Sequence, residues 1–310
     1  MPARLGSRET CCHPGGFRTI RKGVCRAIYF LLKSQEILTA FIPQQGCAIS
    51  RAVFSSGDFI MANILDHPLI SERYFFPRLG NFPNPFWVDC GDARLACSYH
   101  ELDPAAKTLV HFHGNGEIVD DWQGDFVRII QSMGCNCFLS ELRGYGQSTG
   151  QPQLGKMLAD VVPTIRALNR PASELIFFGR SVGSLFALEA AAQFPAAAGL
   201  ILESAVADVL ERLLLRIEPW EVGASAAELY AAVDDQLNQQ RKLACYPGPV
   251  LVMHTQEDGL VDVSHGQRLY DWAPGRKTLK IFPHGNHNDI MFENAREYFS
   301  LVGEFIASLD

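Results

Sequence analysis

The chain has 310 residues, 47% of them hydrophobic and 20% charged, with a formal net charge of −7. That length suffices for one large domain or two small ones, and the composition is that of a packed protein. The acidic balance argues against a nucleic-acid binder, which needs a basic face, and no apolar run reaches the ~18 residues that predict a membrane span.

The first 26 residues carry Arg4, Arg8, Arg18, Arg21, Lys22 and Arg26 against one acid, Glu9. Such an arm reads as a flexible extension. Targeting or peripheral membrane contact is the alternative, with Cys11-Cys12 as a lipid acceptor. Ala27 to Ile42 is interrupted by Lys33, Gln35 and Glu36, which predicts an amphipathic helix. Residues 1–80 are therefore expected as an N-terminal extension and residues 81–310 as the main domain. The nine cysteines are odd in number and scattered, with no zinc-ligand spacing. Reduced thiols, no metal and a cytoplasmic setting are expected.

Pro85 to Cys90 and Arg94 to Glu101 predict a strand pair turned at Gly91-Asp92. Lys107 to Phe112 is a short β-rich run ending at His113-Gly114. Asp120 to Met133 has helical spacing, with Trp122, Phe126, Ile129 and Ile130 on one face. A strand follows at Cys135 to Leu139, a helix at Met157 to Leu168, a strand at Leu175 to Phe178 and a helix at Ser184 to Gln193. Leu200 to Leu202 is another strand. The helical stretch Ala205 to Tyr246 then interrupts the alternation and is expected as a small lid. Pro249 to His254, Ser264 to Trp272, Leu279 to Phe282 and Asp289 to Ser308 complete the series as strand, helix, strand, helix. Apolar strands alternating with helices predict a mostly parallel sheet covered on both faces. The chemistry of such a sheet lies beyond the carboxyl ends of its strands.

Ser181 follows the Leu175–Phe178 strand within Gly179-Arg180-Ser181-Val182-Gly183. The flanking glycines permit a sharp strand-to-helix turn that exposes the hydroxyl. A serine hydroxyl is too weak an acid to attack unaided, so it needs a base. A helix N-cap is the plainer role for such a serine. His287 follows the last strand, in Pro283-His284-Gly285-Asn286-His287-Asn288-Asp289, and an imidazole there suits a general base; His284 is the competitor. Asp258, after the Pro249–His254 strand, suits the carboxylate that orients the imidazole, with Glu257 and Asp262 as alternatives. The order Ser181, Asp258, His287 is that of the strand-turn-helix serine motif. In His113-Gly114-Asn115-Gly116-Glu117 the two glycines allow close backbone approach. The Asn115 N–H and the Val182 N–H are then the expected oxyanion donors. Glu117 reads as a helix-start acid, and Arg180 as a partner for an acidic ligand or a neighbouring carboxylate.

Together these residues resemble the α/β-hydrolase family over about Phe86 to Asp310. His113-Gly114-Asn115-Gly116 is similar to its oxyanion loop, and Gly114, Asn115, Gly116 and Val182 are the oxyanion and substrate-binding candidates. Glu141-Leu142-Arg143-Gly144-Tyr145-Gly146-Gln147-Ser148 is similar to its Asp-x-Arg-Gly-x-Gly-x-Ser loop, with Glu141 in place of the leading acid. His254 with Asp258 and Val261 is similar to the acid loop, and Gly285-x-His287-Asn288-Asp289 to the histidine loop. Within the family the likeness is to a small-lidded branch that includes protein depalmitoylating thioesterases. It implies the α/β-hydrolase fold: an eight-stranded, mostly parallel sheet with helices on both faces, one antiparallel pair near the start and a small helical lid. It implies no metal and no organic cofactor. The expected function is a serine hydrolase of a small-molecule or acylated ester or thioester. A peptidase or amidase with the same triad, or a non-catalytic hydrolase-fold binding protein, are the alternatives.

Overall fold

The structure is a computed structural model that describes residues 63–309. The basic arm, Cys11-Cys12 and the Ala27–Ile42 helix expectation lie outside those residues. Eight strands form one sheet: β1 (Phe86–Asp89), β2 (Arg94–His100), β3 (Thr108–Phe112), β4 (Asn136–Ser140), β5 (Leu175–Arg180), β6 (Gly199–Glu203), β7 (Val250–Thr255) and β8 (Lys277–Phe282). Their order is β1-β2-β4-β3-β5-β6-β7-β8. Strand β2 is antiparallel to both β1 and β4, and every pairing from β4 onward is parallel. The expected single antiparallel pair is thus two pairings made by one reversed strand.

Every residue of β3, β4, β5, β6 and β7 is buried, as strands covered on both faces must be. The covering helices are α1 (Pro68–Tyr74), α2 (Val119–Trp122), α3 (Asp125–Ser132), α4 (Leu154–Ala167), α5 (Gly183–Gln193), α6 (Val209–Leu213), α7 (Ala226–Leu237), α8 (Gln239–Ala244), α9 (Ser264–Trp272), α10 (Ile290–Glu293) and α11 (Ala295–Ala307). Two expected helices are each broken in two. Gly124, at φ 87°, separates α2 from α3, and Asn294 separates α10 from α11. The apolar spacing runs through both breaks, because it records which face is buried and not whether the backbone is continuous.

Residues 63–80, expected as part of an extension, carry α1 and an isolated bridge from Leu79 to Gly146. Tyr74 Oη–H donates to the carbonyls of Arg212 and Leu213 at 2.7 and 2.6 Å, and Arg73 forms a two-pronged pair with Glu221 at 2.8 and 2.9 Å. This segment therefore packs on the helical insert. Cys90, Cys97, Cys135 and Cys137 are free thiols. Among the described residues no helix is long and apolar enough to cross a membrane.

Register places the site. Phe112 pairs with Gly179 and Arg180 with Glu203, so the turns after β3, β5 and β6 leave the sheet side by side. Thr255 pairs with Phe282, which sets the loop after β7 beside the loop after β8.

Candidate active site

Ser181 sits at φ 52°, a left-handed conformation that costs a non-glycine residue about 1–3 kcal/mol. The surroundings enforce it. A Cβ on Gly183 would lie 2.1 Å from the Phe112 carbonyl oxygen, and one on Gly179 would lie 2.6 Å from the Ser184 Cα. Only glycine lets β5 and α5 approach this closely. The Ser181 N–H donates to the Glu203 carbonyl at 2.9 Å, which anchors the turn on β6.

Three side chains from three loops meet at this turn. Ser181 Oγ lies 2.7 Å from His287 Nε2, and His287 Nδ1 lies 2.8 Å from Asp258 Oδ2. The carboxylate accepts from Nδ1–H, so Nε2 is left to accept the serine proton. Asp258 Oδ1 accepts from the backbone N–H groups of Leu260 and Val261 at 2.9 and 2.7 Å. His254 Nε2 stands 3.3 Å from Oδ2. Burial pushes the Asp258 carboxyl up, but the donors from His254 and His287 outweigh it and hold the group well below the usual carboxylate range. Asp258 is buried, whereas His284, Glu257 and Asp262 are exposed and none of them meets Ser181. Asp262 instead accepts from the Ser264 N–H at 2.9 Å.

Ser181, Val182, Asn115 and His287 all line one cavity of about 340 Å³, whose wall is otherwise largely apolar. The Asn115 side chain is turned out of the reacting space. Its amide nitrogen donates to the Tyr74 carbonyl, and its oxygen accepts from the Phe76 N–H at 3.0 Å and the Tyr145 hydroxyl at 2.8 Å. Those contacts anchor the residue whose backbone borders the cavity. Gly114 and Gly116 do not line it. The Gly114 N–H is committed to Glu117 Oε2 at 2.7 Å, and Gly116 provides a turn at φ 76°. Both glycines shape the loop that carries Asn115.

Glu117 does more than start a helix. It accepts from Gly114 and from Trp122 Nε1, and its other oxygen pairs with Arg180. Arg180 also pairs with Glu203 at 3.0 Å and donates to the His287 carbonyl at 3.0 Å. Glu203 in turn accepts from the Tyr298 hydroxyl at 2.5 Å. Arg180 thus ties the turn after β3, the serine turn and the histidine loop together through Glu117, Glu203 and the His287 carbonyl. The basic residue was visible beside Ser181; its partners come from β6 and two loops and were not. His113 Nε2 is 2.7 Å from Glu141 Oε1, a buried pair behind the turn after β3. His111 is enclosed by Trp122, Phe126 and Phe178, and burial pulls its pKa well below the ordinary imidazole value. Among the described residues no cluster of three or more His, Cys, Asp or Glu side chains is placed to hold a metal ion.

A family model described as "Serine aminopeptidase, S33" matches residues 103–225. The alpha/beta hydrolase domain-containing protein 17C of Mus musculus is 27% identical over 222 residues, which cover 70% of this chain and 65% of that one. The chain thus spans a little under two thirds of that relative's length. Est1E from Butyrivibrio proteoclasticus, solved with ferulic acid bound, superposes with a TM-score of 0.60 at 16% identity, covering 72% of this chain and 98% of its own. The Pyrococcus furiosus esterase Pf2001 superposes at 0.58 with 17% identity, covering 76% of this chain and 97% of its own. At such identities the solved structures speak to the fold.

Proposed function

We propose that the chain is an α/β-hydrolase of the serine type, cleaving a carboxylic ester or thioester through an acyl-enzyme. The observation that carries this reading is the unbroken relay Ser181–His287–Asp258, at 2.7 and 2.8 Å, opening on a largely apolar cavity. Ser181 Oγ attacks the carbonyl carbon as its proton passes to His287 Nε2, and Asp258 stabilises the resulting imidazolium. The backbone N–H groups of Asn115 and Val182 receive the developing oxyanion. His287 then protonates the departing alkoxide or thiolate. Water, deprotonated by the same nitrogen, releases the acyl group.

Aminopeptidase action, suggested by the matched family description, fits the cavity less well. A free α-ammonium group needs a carboxylate, and the described lining residues include no aspartate or glutamate. A fluorophosphonate probe tests the reading directly. It labels the parent and fails to label Ser181→Ala, whose p-nitrophenyl butyrate turnover falls by about 10⁴-fold or more. Equal labelling of parent and variant, or no labelling of either, refutes the assignment.

A further inference from the structure

The charged part of the cavity wall is one-sided: Arg180, Arg212 and Arg216, with no carboxylate among the described lining residues. In a chain of net charge −7 this sign runs against the average. Arg180 is held by Glu117 and Glu203. Arg216 is exposed at the rim; its Nη1 donates to the Arg73 carbonyl at 2.7 Å, and its guanidinium lies over Tyr74 and Phe76 at 5.4 and 5.8 Å.

Arg212 is different. It lies on α6 in the helical insert, half-buried. Among the described residues its guanidinium has no hydrogen bond and no carboxylate within ion-pair reach. The adjacent Glu211 is taken by Arg268 at 3.3 Å and faces His265 at 3.8 Å. Other arginines withdrawn from solvent are paired: Arg143 with Asp160 at 2.6 Å, Arg170 with Glu174 at 2.7 Å, Arg180 with Glu203 at 3.0 Å. Burial lowers the proton affinity of Arg212, and Glu211 and Asp258 only partly offset this from a distance. A guanidinium taken out of water without a partner is costly, and a ligand anion removes that cost.

We propose that Arg212, with Arg216 beside it, forms an anion subsite of the catalytic cavity, so that the substrate is an ester or thioester bearing a carboxylate or phosphate apart from the bond that is cleaved. The subsite presupposes the acyl-transfer role of Ser181. The apolar wall of Ile70, Leu154, Leu185 and Val209 takes the hydrocarbon between the two ends. Arginine suits either anion, because its planar fork matches both carboxylate and phosphate.

Two matched substrate pairs, turned over by the full chain at low ionic strength, test this. Mono-p-nitrophenyl adipate against its methyl ester carries a carboxylate on the acyl side. Butyryl-coenzyme A against S-butyryl-N-acetylcysteamine carries phosphates on the thiol side. The anionic member of one pair should show kcat/KM higher by about tenfold or more, the size of one charge-assisted contact, and the responsive pair identifies the anion. In Arg212→Gln the ratio within that pair falls to near one, and in Arg212→Lys part of it remains. Ratios taken within each variant cancel any general loss of fold or turnover. Equal rates within both pairs in the parent, or a preference that survives Arg212→Gln, overturns the subsite. If the neutral members are inert as well and Ser181 takes no fluorophosphonate, the acyl-transfer reading falls with it.

Discussion

Two buried histidine–carboxylate pairs flank the site, His287–Asp258 and His113–Glu141, with nitrogen–oxygen distances of 2.8 and 2.7 Å. What separates them is the other ring nitrogen. His287 Nε2 faces the Ser181 hydroxyl at 2.7 Å, whereas His113 Nδ1 faces the Gly114 carbonyl at 2.8 Å. With an oxygen acceptor at each nitrogen, His113 is set up as a doubly donating imidazolium that holds the turn after β3. Burial pulls its pKa down, but Glu141 overrides this and the net shift is upward. A carboxylate partner therefore does not mark a histidine as catalytic. The proposed role of His287 rests instead on a ring nitrogen left to accept from a hydroxyl in a cavity.

The largest expected contrast comes from the acids. Asp258→Asn presents the wrong hydrogen-bonding partner to His287 Nδ1 and should lower kcat on a p-nitrophenyl ester by about 10³- to 10⁴-fold. A loss below tenfold would mean that the orienting role lies elsewhere. The pH profile is the next contrast. Turnover falls as the pH drops and His287 takes up a proton, since a protonated ring accepts nothing from Ser181. Asp258 is held ionised well below the usual carboxylate range and adds no second limb. Turnover that does not fall on acidification counts against His287 as the base.

The smallest effect on turnover is expected at the other pair. His113→Gln leaves Glu141 buried without its charged partner and should cost about 3–5 kcal/mol of stability. Ester turnover per folded molecule changes much less than in Asp258→Asn. The sign of the pH dependence follows from the raised pKa of His113. Its stabilisation is fully present below the unfolded value of about 6.5 and is lost as pH rises through the folded value. The gap in Tm between parent and variant should be widest near pH 6 and narrow towards pH 9. A gap that widens with pH reverses the assignment.

Much of the molecule is legible along the chain. Continuous apolar runs bounded by glycine and proline mark the strands, and the loops after them hold Ser181, Asp258 and His287, because a parallel sheet collects its strand ends on one edge. What resisted was anything that depends on which neighbour arrives. Arg180 had two readings until β6 brought Glu203 beside it. Glu117 read as a helix-start acid until the fold set its carboxylate against the Gly114 N–H and Arg180. Residues 63–80 carry no family motif, yet α1 lines the cavity, since a wall needs only shape and apolarity.

Local pattern was thus enough for the class of fold, the strained serine turn and the chain order of three candidate catalytic groups, because glycine freedom and burial periodicity act over a few residues. Convergence decided the rest. It set which acid meets the imidazole, which histidine is locked onto a carbonyl, and which arginine faces the cavity with no partner among the described residues. Each of those is settled by distances between side chains far apart in sequence, and no spacing along the chain encodes them.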